Sequence, residues 1–268
     1  MAFSGAEKEG KEVKIYENLD DLKIDLAEYV AELSEAAVKE RGTFSVALSG
    51  GSLIGLMGRE LRHPPYIETL DWALWHIFWA DERVVPKNHP DSNYKLAKDN
   101  LLPKVLVLPS QMHSINDSLS AKEASEGYEF LIRQLVKTRL VGVSETSDCP
   151  KFDLILLGMG SDGHVASLFP NHSVLDNTED WVTYVTDSPK PPPERITFTM
   201  PVINAAANVV VVAIGSSKAD AVHLAIDDVG HECPSLPAKM VKPTNGKLTW
   251  FLDKLAASKL DSCAHKSE

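Results

Sequence analysis

Three short runs combine the residue types that chemistry on a small anionic molecule needs. The first is Gly158-Met159-Gly160-Ser161-Asp162-Gly163-His164, which follows an apolar stretch of strand length, Phe152 to Leu157. A histidine with a pKa near its reference value of about 6.5 is the usual general base at neutral pH. A glycine-rich loop at a strand end would present His164, with Asp162 beside it, to a cleft. The glycines also match the dinucleotide fingerprint G-x-G-x-x-G, with Glu179 or Asp180 where a ribose-binding acid would stand. The mid-chain position, the early Pro170 and a histidine where a packing residue would serve favour the loop reading.

The second run is Ser49-Gly50-Gly51-Ser52, between a strand-like Phe44 to Leu48 and a helix-like Ser52 to Leu61. Glycines let the backbone approach a ligand, and a helix start offers free N–H groups to a phosphate. The GK[ST] ending of a Walker A loop is missing, and a plain tight turn has the same composition. The third run is Asp81-Glu82-Arg83, at the end of the aromatic stretch Leu74 to Ala80. Open parallel sheets place ligands at such strand ends. An arginine there can fork onto a phosphate while a neighbouring carboxylate holds it; a solvated turn with a local ion pair is the alternative. Two further cations stand after predicted loops or strands: Arg195, and Lys218 in Gly215-Ser216-Ser217-Lys218. With Ser49, Gly50, Gly51 and Arg83 they fit one phosphate pocket. His164, His172 and Asp162 have no standard metal-ligand spacing, and no G-x-S-x-G elbow occurs. The expectation is therefore neither metal nor cofactor.

The elements that must position these groups alternate along the chain. Val13 to Tyr16 reads as a short strand. Leu22, Leu26, Tyr29, Val30, Leu33 and Ala37 recur at helical spacing, between an N-cap at Asn18 and a stop at Gly42. Asp91 to Leu102 and Ala121 to Leu140 have helical patterns. Asn208 to Ile214 and Lys247 to Leu252 complete the strands. Continuous apolar strands separated by helices predict a mostly parallel sheet covered on both faces. Val141 to Lys151 is polar and reads as an exposed, dispensable loop, with Cys149 incidental. Asp187 to Glu194 carries Pro189, Pro191, Pro192 and Pro193, which excludes a regular helix or central strand. It is either a stiff connector or the wall of a site. The expected organisation is a flexible segment over 1–12, one catalytic α/β domain over 13–260 and a polar tail over 261–268.

Composition narrows the partners. In 268 residues, 27 Lys and Arg against 38 Asp and Glu give a net charge of −11. That argues against a nucleic-acid or anionic-membrane binder, which needs clustered cations. Three scattered cysteines exclude a disulfide framework. The first residues have no apolar core of a secretory signal and too little arginine for a transit peptide, so the expected place is the cytosol. Ser258-Lys259-Leu260 is internal and is not read as a peroxisomal address. Oligomeric state is open, with a monomer expected.

Taken together, the runs resemble a known family. Val46-Ala47-Leu48-Ser49-Gly50-Gly51-Ser52, Trp79-Ala80-Asp81-Glu82-Arg83-Val84-Val85, Asp91-Ser92-Asn93-Tyr94 and the run from Gly158 to Pro170 resemble the glucosamine-6-phosphate isomerase/6-phosphogluconolactonase family. Within it the plant lactonases are most similar. Arg195-Ile196-Thr197 and Gly215-Ser216-Ser217-Lys218 fit its later blocks. The resemblance implies a modified Rossmann-like sheet shared with sugar-phosphate deaminases and isomerases. It implies hydrolysis of 6-phospho-D-glucono-1,5-lactone to 6-phosphogluconate, with His164 as general base, Asp162 beside it, and Ser49, Gly50, Gly51, Asp81, Arg83, Arg195 and Lys218 around the substrate. Glycine-loop N–H groups are the expected donors to the oxyanion. The deaminases continue from the histidine as Ile-Ala-Phe-Asn-Glu-Pro; here Val165-Ala166-Ser167-Leu168-Phe169-Pro170 lacks that acid.

Overall fold

A computed structural model describes residues 3–8, 10–103, 105–227 and 236–261. The strands are β1 (Phe3–Lys8), β2 (Lys11–Tyr16), β3 (Phe44–Leu48), β4 (Trp75–Trp79), β5 (Asp81–Arg83), β6 (Met112–His113), β7 (Gly142–Val143), β8 (Pro150–Lys151), β9 (Leu154–Gly158), β10 (Val182–Val185), β11 (Arg195–Phe198), β12 (Asn208–Ala213) and β13 (Lys247–Asp253). The helices are α1 (Leu19–Arg41), α2 (Ser52–Leu61), α3 (Tyr66–Thr69), α4 (Asn93–Asn100), α5 (Ala121–Lys137), α6 (Met200–Ala205), α7 (Ala219–Ile226) and α8 (Pro237–Met240).

Eight strands form the main sheet in the order β1-β2-β13-β12-β9-β3-β4-β6. All neighbours are parallel except the edge pair β1 and β2. The two-residue side-chain period sorts each inner strand between two cores. Val46, Leu48, Leu154, Leu156, Val210 and Val212 pack with α1, α2 and α4 on one face. Ala47, Ile155, Leu157, Val209 and Val211 pack with α5, α6 and α7 on the other. This is the predicted parallel sheet with helices on both faces. α1 begins at the predicted cap, where Asn18 accepts from the Asp21 N–H, and ends at Gly42 in the left-handed region, φ 75°. Among the described residues no helix is long and apolar enough to cross a membrane.

Three features differ from the sequence reading. The segment 1–12, expected as a flexible arm, contains β1 and the start of β2. Pairing β2 with β13 leaves the outer edge of β2 with open backbone groups, and β1 covers it after a turn at Gly10, φ 78°. The loop expected over Val141 to Lys151 closes as a β7–β8 hairpin that buries Val141, Cys149 and Pro150. A second sheet, ordered β10-β11-β5, stands apart from the first. The chain passes between the sheets at Ala80, whose N–H donates to Leu48 O while its carbonyl accepts from the Phe198 N–H. Most of the tail expected over 261–268 lies outside the described residues.

Candidate active site

The outward paths of the sheet set the site. From β3 the chain moves through α2 to β4 on one side; from β12 it moves through α7 and α8 to β13 on the other, with β9 between. Such a reversal leaves a crevice beyond the strand ends. A cleft of about 260 Å3 opens there. It is lined by Ser49, Gly50 and Gly51 after β3, Asp81 and Arg83 on β5, His164 after β9, Arg195 on β11 and Lys218 after β12. These are the residues expected around the substrate. Asp162 stands directly behind His164. Ser52, Met159, Gly160 and Ala166, all within the quoted runs, also line the cleft, and so does Lys190, which was not named as a site residue.

After β9 the chain makes no helix, so the dinucleotide alternative fails. Instead Gly158 to Phe169 folds back on itself through bridges of Val165 to Met159 and Leu168, with Ala166 at a positive φ of 50°. The Gly160 N–H donates to His164 O, and the Gly163 N–H to Gly160 O. Those two N–H groups are engaged within the loop and hold its shape. The glycine at 160 has a spatial cause: a Cβ there would lie 2.0 Å from His164 Nδ1 and 2.3 Å from Asp162 Oδ1.

His164 Nδ1 is 2.6 Å from Asp162 Oδ1. An ionised carboxylate only accepts, so it selects the tautomer with hydrogen on Nδ1 and leaves the Nε2 lone pair for water. The ring lies 4.9 Å from that of Phe169, which is buried. Burial holds the imidazole below its ordinary pKa against the opposing pull of Asp162. Burial disfavours the charge of Asp162 too, but the hydrogen bond and charge of His164 and the charge of Lys190 bring its carboxyl down to about 2. Two ionisable neighbours thus favour a neutral imidazole beside a charged carboxylate.

The opposite wall is cationic. In the antiparallel register Arg83 sits directly across from Arg195. Like charges so placed repel, and an anion between them would remove the cost. Arg195 is 2% exposed and makes four donations to the protein, to Pro192 O, Ser167 Oγ, Lys190 O and Pro191 O at 2.9–3.3 Å. A guanidinium has five N–H groups, so one on Nη1 remains for a ligand. Arg83 donates Nη1 to Asp91 O at 2.8 Å and keeps an unpartnered, buried Nε. Asp81, expected beside the substrate, accepts from Ser49 Oγ and Ser167 Oγ, each at 2.9 Å, and so fixes the two loops around it. Glu82 points away from the cleft and takes the N–H groups of Arg83, Asn93 and Tyr94, each at 2.7 Å, tying β5 to the start of α4.

Gly51, at φ 91°, is the N-cap of α2 and supplies no side chain, so the first N–H groups of that helix stay open toward the cleft. Gly50 leaves room for Asn93, whose Oδ1 would lie 2.2 Å from a Cβ at 50. On the far side Gly215, also at φ 91°, bonds to Asp253 and turns the chain into the short 3₁₀ turn that carries Lys218. Burial and then Lys190 lower the pKa of Lys218. Among the described residues, one group of three potential metal ligands comes together, His223, Asp227 and Asp261, and it lies outside the cleft lining. His172 bonds Asp187 and does not join His164.

The chain is similar to several known proteins. A protein of Arabidopsis thaliana called probable 6-phosphogluconolactonase 1 is 63% identical over 97% of this chain and 98% of its own length. A rice protein, probable 6-phosphogluconolactonase 4, chloroplastic, is 51% identical over 94% of this chain and 77% of its own. Among solved structures, 6-phosphogluconolactonase from Trypanosoma cruzi superposes with a TM-score of 0.82 at 26% identity, covering 97% of this chain and all (100%) of the other. The family described as glucosamine-6-phosphate isomerases/6-phosphogluconolactonase matches residues 17–250, a span that contains every cleft residue named above, and the chain belongs to that family.

Proposed function

We propose that the protein is a 6-phosphogluconolactonase, hydrolysing 6-phospho-D-glucono-1,5-lactone to 6-phosphogluconate in the oxidative pentose phosphate pathway. The observation that carries this reading is one cleft with a neutral, oriented histidine at one wall and two facing arginines at the other. His164 Nε2 takes a proton from water as the oxygen attacks the lactone carbonyl. The tetrahedral intermediate then expels the ring oxygen, which recovers that proton from the imidazolium. A lactone is an activated ester, so this chemistry calls for no covalent intermediate. Asp162 keeps the ring in the productive tautomer and stabilises the imidazolium.

The phosphate is remote from the bond broken, so its binding can orient the ring. We assign it to the Ser49-Gly50-Gly51 turn, the open start of α2, Arg83, Lys218 and the remaining N–H of Arg195. Higher identity to the Arabidopsis protein than to the chloroplastic rice protein favours a cytosolic place. The absence of the deaminases' acid after His164 argues against ammonia release. The test is the disappearance of freshly made 6-phosphogluconolactone, corrected for spontaneous hydrolysis, beside ammonia release from glucosamine 6-phosphate. Lactone loss well above background with no ammonia supports the reading; the reverse refutes it.

A further inference from the structure

Lys190 lies in the proline loop over 187–194, outside the runs that carry the family resemblance, yet it completes a line of contacts behind the base. Its Nζ is 3.3 Å from Asp162 Oδ2, while the other oxygen of that carboxylate is 2.6 Å from His164 Nδ1. Lysine side chains on loops are normally free to wander, but the backbone of this one is held from both directions. Its N–H donates to Ser188 Oγ at 3.2 Å, and its carbonyl accepts from Ser188 Oγ at 2.8 Å and Arg195 Nη2 at 2.9 Å. Arg195 further grips Pro191 O and Pro192 O. A buried arginine is thus spent largely on the shape of the proline loop beneath one lysine.

We propose that Lys190 is a positioning residue for the general base: its ammonium occupies the second oxygen of Asp162, which keeps the first on His164 Nδ1 and the ring fixed in the cleft. Arg195 positions the loop that brings the lysine there. The proposal rests on the reading of His164 as the base. Two consequences follow from geometry and charge. Asp162 has a side chain 36% exposed, so without Lys190 its second oxygen loses that partner and the carboxylate–imidazole pair is aimed less firmly while staying in contact. The sign of the second is fixed by the groups facing His164. Asp162 and Asp81 favour the imidazolium and Lys190 opposes it; Lys218, from the 3₁₀ turn, faces Lys190 and Asp162. Phe169 and Gly160, also against the ring, are uncharged. Loss of Lys190 therefore makes the base easier to protonate.

The experiment compares Lys190→Met and Lys190→Arg with the wild type, as pH profiles of kcat and kcat/KM. Both 6-phosphogluconolactone and unphosphorylated gluconolactone are used, so that any contact with phosphate is separated out. Lys190→Met should lose roughly 10-fold in kcat on both substrates, a modest share of what misplacing a catalytic group costs. Its acid limb should move to higher pH on both, and Lys190→Arg should return the limb toward the wild-type position. An acid limb at the same pH in all three proteins overturns the proposal. So does a loss confined to KM for the phosphorylated substrate, which would make Lys190 a phosphate ligand. His164→Ala in the same series tests the underlying reading by itself: if it retains wild-type kcat, the base assignment fails. If it is inactive while the limb of Lys190→Met stays put, only the role of Lys190 fails.

Discussion

His164 is useful because the residues around it decide which protonation state survives at neutral pH. Burial depresses its pKa, so the neutral imidazole persists below the ordinary histidine range. Activity should accordingly be retained as pH falls through 6.5 and be lost only at lower pH; an acid limb at or above about 6.5 in kcat/KM would contradict this. Lys218 and Arg195, treated alike from sequence, separate once their partners are known. Lys218→Ala removes a cation whose proposed work is on the phosphate. It should raise KM for 6-phosphogluconolactone by about 10- to 150-fold, the worth of one charge-assisted bond, and leave gluconolactone nearly unaffected. Arg195→Ala also frees the proline loop, so it should weaken both substrates. Equal losses on both substrates in Lys218→Ala would remove it from the phosphate site. The site was legible where glycines, a histidine or a strand end marked it. Lys190 was not, because its contacts with Asp162 and Arg195 depend on how the proline loop folds back on the cleft.

Loops at strand ends do the positioning, and their glycines are the points where a single methyl group tests them. Gly160→Ala would push against His164 and Asp162, which are side chains and can move. The variant should fold with a melting temperature close to wild type and lose about 100-fold in kcat, the scale of misplacing a reacting group. Wild-type kcat would show that the pair does not need its present placement. The interior strands and α1 were readable because their apolar runs and caps are local signals. β3 and β12 alternate between two cores, and Asn18 and Gly42 bound α1. The second sheet was not readable. β5, β10 and β11 are three or four residues long, and β5 begins with three charged residues. Their pairing, and so the facing of Arg83 and Arg195, depends on contacts remote in sequence. β1 is likewise defined by the edge it covers rather than by an apolar run.

At the scale of the whole molecule, a net charge of −11 surrounds a cleft carrying Arg83, Lys190, Arg195 and Lys218. Clusters of one sign in a concave site focus the field, so an acidic protein can still draw in a dianion. The fold also carries a pH sensitivity of its own, remote from catalysis. His113 on β6 is buried against Phe78, with ring centroids 4.6 Å apart, and its Nε2 is 3.1 Å from His76 Nδ1. Burial first, and the charge of His76 second, push its pKa down to about 4. The unfolded chain then binds more protons than the folded one between about 6.5 and 4, so stability falls as pH drops through that window, by about 3 kcal/mol from this residue. Urea unfolding at pH 7 and 5 should show the drop in wild type and a flatter response in His113→Gln; identical slopes would discount the residue. The claim on which everything else depends is that this cleft hydrolyses a phosphorylated lactone through His164. Its most direct test is kcat for 6-phosphogluconolactone in wild type and His164→Ala, both shown to be folded and both corrected for spontaneous hydrolysis. A loss of about 10²–10⁴-fold in kcat with a smaller change in KM is expected, whereas near-normal kcat in a folded variant would overturn the assignment of His164.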